Sequence, residues 1–291
     1  MSAVMEKADV KDKVVVITGG ARGMGRAYVR AFLAEGAKVV ATDRSWDGAE
    51  MPAEIAGQGT NFLACDMDVT NDAQIDKAFD AAMARFGTVD VLVNNAAMRQ
   101  RDLFPPTGRV TTLETKDSDW ERSFAVNVFG VLKVTRRFIR PMLEKKKGSI
   151  VNTVSSGILN HSHGGAYAAL RPNSREMPYM SSKAALATLS FYLADEVKDK
   201  GVAVNVVIPG HTRTTGFDEQ NRARLAQGAR PGPLPVVPEH MVPIVLYLAG
   251  QDARGVTGRM FDVMVWNQEH GLGGHEDWAD RSFSYEALMP R

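Results

Sequence analysis

Short, wholly apolar runs alternate along this chain with longer stretches in which apolar residues return every three or four positions. Val14–Ile17 is an unbroken apolar run, the pattern of a strand covered on both faces of a parallel sheet. Further strands are predicted at Val14–Thr18, Lys38–Thr42, Asn61–Ala64, Val89–Val93, Ser149–Thr153, Val202–Ile208 and Arg259–Val265. Helical periodicity fills the intervals at Gly25–Glu35, Asp72–Phe86, Asp119–Leu143, Tyr179–Lys198 and Pro238–Leu248. This βαβ alternation predicts an α/β fold: a doubly wound parallel sheet between two helical layers, in a single domain. Four segments break the rhythm. Met98–Ser118, Asn160–Arg175 and Thr215–Pro235 read as long loops rich in Gly, Pro or His, and Trp266–Arg291 follows the last strand.

Composition narrows the function classes. Of 291 residues, 35 are Lys or Arg and 34 are Asp or Glu, so the formal charge of +1 gives no basic excess for nucleic acid. A single cysteine, Cys65, excludes an internal disulfide and any multi-cysteine zinc site. No apolar run approaches the length of a membrane helix, and Met1–Lys13 is charged, so no secretory leader is expected. The expectation is a cytoplasmic protein without nucleic-acid or membrane partners.

Thr18-Gly19-Gly20-Ala21-Arg22-Gly23-Met24-Gly25 follows the first strand and opens the first helix. A dinucleotide pyrophosphate sits at such a turn, against free backbone N–H groups and the positive helix end, as in Rossmann-type folds. Gly19 permits the turn, while Gly23 and Gly25 remove Cβ atoms that would block cofactor or helix packing. Three glycines alone also occur in purely structural turns; their place between strand and helix favours cofactor binding. Asp43 ends the second strand, 24 residues after Gly19. Its carboxylate suits a ribose and repels a 2′-phosphate, which favours NAD(H); Arg22 and Arg44 pull toward NADP(H).

Taken together, Thr18–Gly25, Asn94-Asn95-Ala96-Ala97, Asn127, Ser155, Tyr179-x-x-x-Lys183 and Pro209-Gly210 resemble the short-chain dehydrogenase/reductases, in that family's order, from Val14 to Val265. The resemblance implies a catalytic tetrad of Asn127, Ser155, Tyr179 and Lys183. Tyr179 and Lys183 share a helix face, so the ammonium is expected to lower the phenol pKa and to reach the nicotinamide ribose. Ser155 would orient the substrate oxygen, and Asn127 would hold a water for proton relay. Cofactor contacts are further implied at Arg22, Met24, Asp68, Val69, Asn94, Ala96, Pro209, Gly210, Thr212 and Thr214. Ala97 stands where the family commonly has Gly. The family also implies a homotetramer or homodimer built on Asp119–Leu143 and Tyr179–Lys198.

One departure stands out: Ser155 and Tyr179 are 24 residues apart, and the family usually shows about half that spacing. The inserted stretch holds a competitor, Tyr167-Ala-Ala-Leu-Arg171, but Arg171 is a poor tuned cation and Pro172 would break a helix. Tyr179 is therefore assigned, and Ser155 in preference to Ser156. His161, His163 and His211 have no carboxylate or thiol at ligand spacing, so no metal is expected. Lys145–Lys147 suits a solvated helix end.

The resulting layout is an N-terminal tail at 1–13 and a dinucleotide-binding catalytic domain at 14–265. That domain carries loop insertions at 98–118 and 160–175 and a lid at 215–235, and a C-terminal tail spans 266–291. Trp266, Trp278, Phe283 and Tyr285 are costly to expose, so the tail is expected to cover its own site or reach a neighbour. The expected activity is hydride transfer between nicotinamide and a secondary alcohol or ketone, bulky or hydrophobic, with Tyr179 as general acid/base. A non-catalytic NAD-binding regulator or scaffold is the alternative; the intact tetrad argues against it.

Overall fold

Alternate residues of the first strand, β1 (Val14–Thr18), enter different cores. Val15 and Ile17 pack with Tyr28, Phe32 and Leu248 on one face; Val14 and Val16 pack with Ile75, Phe138 and Met142 on the other. Both faces of β1 are thus dry, which is why Val14–Ile17 is apolar throughout. The computed structural model describes residues 9–46, 59–158 and 175–289. Within these, β2 (Lys38–Asp43), β3 (Phe62–Asp66), β4 (Val91–Asn94), β5 (Gly148–Thr153), β6 (Val202–Ile208) and β7 (Met260–Asp262) complete a sheet of order β3-β2-β1-β4-β5-β6-β7. Every adjacent pair is parallel; Ile17, for example, lies between Ala41 of β2 and Val93 of β4.

Helices α1 (Gly23–Ala34) and α2 (Asp72–Phe86) close the first crossovers. Asn71 caps α2 by accepting from the Gln74 N–H at 3.1 Å, and Gly87 ends it with φ 74°. The chain reverses its winding between β1 and β4, so a crevice opens at the carboxyl ends of these strands, where doubly wound folds bind ligands. Among the described residues no helix is long and apolar enough to cross a membrane.

The structure redraws several elements, and the helix read at Pro238–Leu248 begins as a 3-10 turn, Pro238–Met241. The segment read as one helix, Asp119–Leu143, is α4 (Asp117–Phe124), a π-helical turn (Ala125–Gly130), α5 (Val131–Phe138) and α6 (Arg140–Glu144). The loop at 98–118 contains a short helix, α3 (Gln100–Leu103), and a 3-10 turn at Thr112–Glu114. After α7 (Tyr179–Val197), the segment at 215–235 contains α8 (Phe217–Ala226), whose apolar side is too sparse to show helical periodicity. Past α9 (Val242–Ala249), the strand read to Val265 stops at Asp262. The Asp262 carboxylate accepts from the Met264 N–H at 3.0 Å and so starts α10 (Val263–Glu269), which runs across the 265/266 boundary given to the tail. His161, His163, Tyr167, Arg171 and Pro172 lie outside the described residues.

Candidate active site

A cavity of about 740 Å³ opens at the β1/β4 crevice. Its first wall is the glycine turn. Gly19 has φ 71° and Gly23 φ 57°, which L side chains adopt at a cost. At Gly25 a Cβ would stand 2.0 Å from the Gly19 carbonyl, so only glycine lets α1 approach β1 this closely. The Thr18 hydroxyl accepts from the N–H groups of Asn95 and Ala96, each at 3.0 Å, and the Asn95 side-chain amide donates to the carbonyls of Thr18 and Gly19. The turn after β1 is thereby sewn to the end of β4. At the far end, Asp43 accepts from the Ala21 N–H at 3.1 Å and lines the cavity beside Arg22 and Arg44. Backbone donors, a bare glycine floor and a carboxylate at the end of β2 fit an adenine dinucleotide.

Met24, Asp68, Val69, Ala96, Pro209, Gly210, Thr212 and Thr214 also line the cavity. Asn94 does not: its side chain donates within the sheet to Asn152 Oδ1 at 2.8 Å and to Thr135. The lining residue is its neighbour Asn95, the second Asn of the same motif. Gly25 is buried in the packing of the turn rather than in the lining.

Ser155, Tyr179 and Lys183 meet across this cavity. Ser155 follows β5 and is hydrogen-bonded to the Tyr179 phenol; Tyr179 opens α7 with Lys183 one turn on. The Lys183 Nζ lies 5.9 Å from the Tyr179 ring centroid and donates to the Thr153 carbonyl at 2.9 Å. The electrostatics differ from the sequence expectation. Burial pushes Tyr179 up to about 12, although the Ser155 hydrogen bond and the Arg99 guanidinium pull it down. Burial likewise draws Lys183 down to about 7. The lysine is directed at a carbonyl and half-discharged at neutral pH, so it does not offset the desolvation of the phenol.

Asn127 sits in the π-helical turn, fully buried and outside the cavity lining. Its Oδ1 accepts from the Met98 N–H at 2.9 Å, and its amide donates to the Met98 carbonyl and Ser182 Oγ, each at 2.9 Å. Its amide hydrogens are taken by protein acceptors, so the side chain fixes the exit of β4 against α7. The π turn makes this reach possible, since its extra residue shifts Asn127 out of α-helical register.

Sequence reasoning passed over His240. It is fully buried in the 3-10 turn Pro238–Met241, where Nδ1–H donates to the Val237 carbonyl at 2.7 Å and Nε2 accepts from the Gly210 N–H at 3.0 Å. Burial lowers its pKa to about 4, so it is neutral and holds the turn after β6 in place. His211 lines the cavity and stacks edge-on against Phe217. No cluster of metal-ligating side chains occurs among the described residues.

The tail does not enter the cavity through any described residue; it packs behind α8. Phe283 lies 5.4 Å from Phe217 and 4.8 Å from Tyr285, and Tyr285 donates to the Pro233 carbonyl. Arg213 joins the two elements: it pairs with Asp218 of α8 at 2.6 Å and with Asp280 of the tail at 3.0 Å.

The family model for short chain dehydrogenase matches residues 13–225. Fluoren-9-ol dehydrogenase of Terrabacter sp. (strain DBF63) is 51% identical over 94% of this chain and 77% of its own length. The 3beta-hydroxysteroid dehydrogenase 1 of Eggerthella lenta is 34% identical, over 86% and 91% of the two chains. Among solved structures, a short-chain type dehydrogenase/reductase from Mycobacterium marinum superposes with a TM-score of 0.71 at 27% identity, covering 90% of this chain and 97% of the other.

Proposed function

The chain belongs to the short-chain dehydrogenase family and is an NAD(P)-dependent alcohol oxidoreductase, and from that premise we propose that it interconverts a bulky polycyclic secondary alcohol and its ketone, with NAD(H) preferred. The observation that carries this reading is the convergence of Ser155, Tyr179 and Lys183 on one cavity with the glycine turn and Asp43. When bound, the nicotinamide accepts or returns the hydride at the carbinol carbon. Ser155 and Tyr179 hold the substrate oxygen between their hydroxyls, and Tyr179 exchanges its proton. Lys183 lines the same pocket, where it would hold the nicotinamide ribose when the cofactor is bound. Asn127 acts through others, by fixing Met98 and Ser182.

Asp43 supports NAD(H), since its carboxylate repels a 2′-phosphate. Exposed Phe129 and Tyr192, on the π turn and α7, support self-association into a dimer or tetramer, and the unpaired Cys65 suits a cytoplasmic protein. The polycyclic class draws on the fluorenol and steroid relatives and on the cavity volume. Incubation of the full chain with NAD+ or NADP+ and a panel of secondary alcohols tests the reading. Appearance of reduced cofactor with polycyclic alcohols, faster with NAD+, is expected; cofactor binding without turnover of any alcohol contradicts it and favours a regulator on the same fold.

A further inference from the structure

One arginine in the cavity wall, Arg101, forms no ion pair among the described residues, although acids and arginines both line the cavity. Arg99, Gln100 and Arg101 line it from the end of β4 into α3. Arg99 is matched: its Nε and Nη2 face the two oxygens of Asp102 at 3.0 and 3.1 Å. Arg101 is not. Its Nη2 donates to Thr214 Oγ1 at 3.1 Å and to the Thr215 carbonyl, both neutral, and it forms no ion pair with another described residue. Its Nε and Cζ lie where a Cβ on Gly216 would be 3.6 Å away, at the uncapped start of α8, so the helix dipole adds positive potential rather than relieving it. Burial and Arg99 together draw Arg101 down to about 10, which leaves it charged at neutral pH. Of the acids that favour its charge, Asp102 is engaged by Arg99 and Glu219 is exposed; Glu176 also lines the cavity. Beside it, Gln100 is 7% exposed, donates to the Met177 carbonyl at 2.7 Å and keeps a buried Oε1 without a partner.

We propose that Arg101, flanked by Arg99 and Thr214, binds a carboxylate carried by the substrate, so that this site prefers a bulky secondary alcohol or ketone bearing one carboxylate. The inference rests on the alcohol–ketone reading above and names its substrate class. With Nη2 engaged by Thr214 and Thr215, the Nη1 of this guanidinium remains to donate to a monoanion. The other anion within reach is the cofactor diphosphate, because a Cβ on Gly23 would lie 3.4 Å from Thr214 Cγ2. The glycine turn already offers backbone donors there, which favours the substrate as the source.

The test compares fluoren-9-ol with a fluoren-9-ol carboxylic acid as substrates, and titrates NADH, in the native chain, Arg101→Gln and Arg101→Lys. The native chain is expected to prefer the acid, and Arg101→Gln to lower the acid-to-neutral ratio of kcat/KM about tenfold or more, through KM. Arg101→Lys should retain part of the preference, and NADH affinity should move far less than the acid's KM. No preference in the native chain, or an unchanged ratio in Arg101→Gln, overturns the proposal. So does a parallel loss of NADH affinity, which would give the charge to the diphosphate. If neither alcohol reacts, the alcohol–ketone reading fails on its own. Titration of fluorene carboxylate against fluorene on the NADH complex then still decides the site, with equal affinity overturning it.

Discussion

Burial shifts Tyr179 up and Lys183 down, and each shift carries a pH dependence. Alcohol oxidation needs the Tyr179 phenolate, whose population grows about tenfold per pH unit below a pKa of about 12. The kcat/KM for oxidation should therefore climb from neutral into alkaline pH, while ketone reduction, which uses the phenol, should not; pH profiles in both directions check this. Lys183 is also a stability statement. Its ordinary pKa of 10.5 applies to the unfolded chain, and the folded value is about 7. Between these values the unfolded state binds the extra proton, so stability rises with pH by up to about 1.4 kcal/mol per unit. Lys183→Met should flatten the rise in Tm across that window and abolish turnover. His240 behaves alike lower down: with 6.5 unfolded and about 4 folded, its contribution is lost as pH falls through that interval. His240→Gln should make Tm less steep between pH 6.5 and 4; an unchanged slope would show that the imidazole is not held neutral.

Among the elements, α8 and the tail pack as one unit. α8 buries few of its own side chains, chiefly Phe217 and Asn221, and borrows stability from Phe283 and Tyr285 behind it. Arg213 ties the two by charge. Deleting the chain from Trp278 onward should raise KM for alcohol and weaken cofactor binding, since α8 loses its backing, while the assembly mass stays unchanged. A drop in assembly mass with KM intact would place the tail at a subunit interface instead. This unit was hard to read in the sequence because α8 is polar around most of its circumference, and its partners lie some sixty residues away (Phe217 to Phe283). The π turn was hidden for another reason: Ala125–Gly130 keeps an apolar spacing that continues the helices on either side. Arg99 and Arg101 resemble a solvated charge run until the fold turns them into a cavity.

For the whole molecule, the buried sheet was the legible part. β1 and β6 match the predicted strands Val14–Thr18 and Val202–Ile208 residue for residue: every position is buried, and the polar ones, Thr18 and Asn205, are hydrogen-bonded internally. β7 was read too long because Val263–Val265 is as apolar as a strand, and only the Asp262 cap separates it. The cofactor turn and Ser155 were legible from their places after β1 and β5, and Tyr179 and Lys183 from their spacing of four on one helix; all of them line the cavity. The electrostatics were not, because burial of Tyr179 and Lys183 depends on residues far apart in the chain. The central claim, that Tyr179 rather than Tyr167 moves the proton in alcohol–ketone exchange, is tested most directly by NADH formation from a polycyclic alcohol in Tyr179→Phe and Tyr167→Phe. The account predicts a loss of about a hundredfold or more in kcat for Tyr179→Phe and near-native turnover for Tyr167→Phe. Near-native turnover in Tyr179→Phe would contradict it.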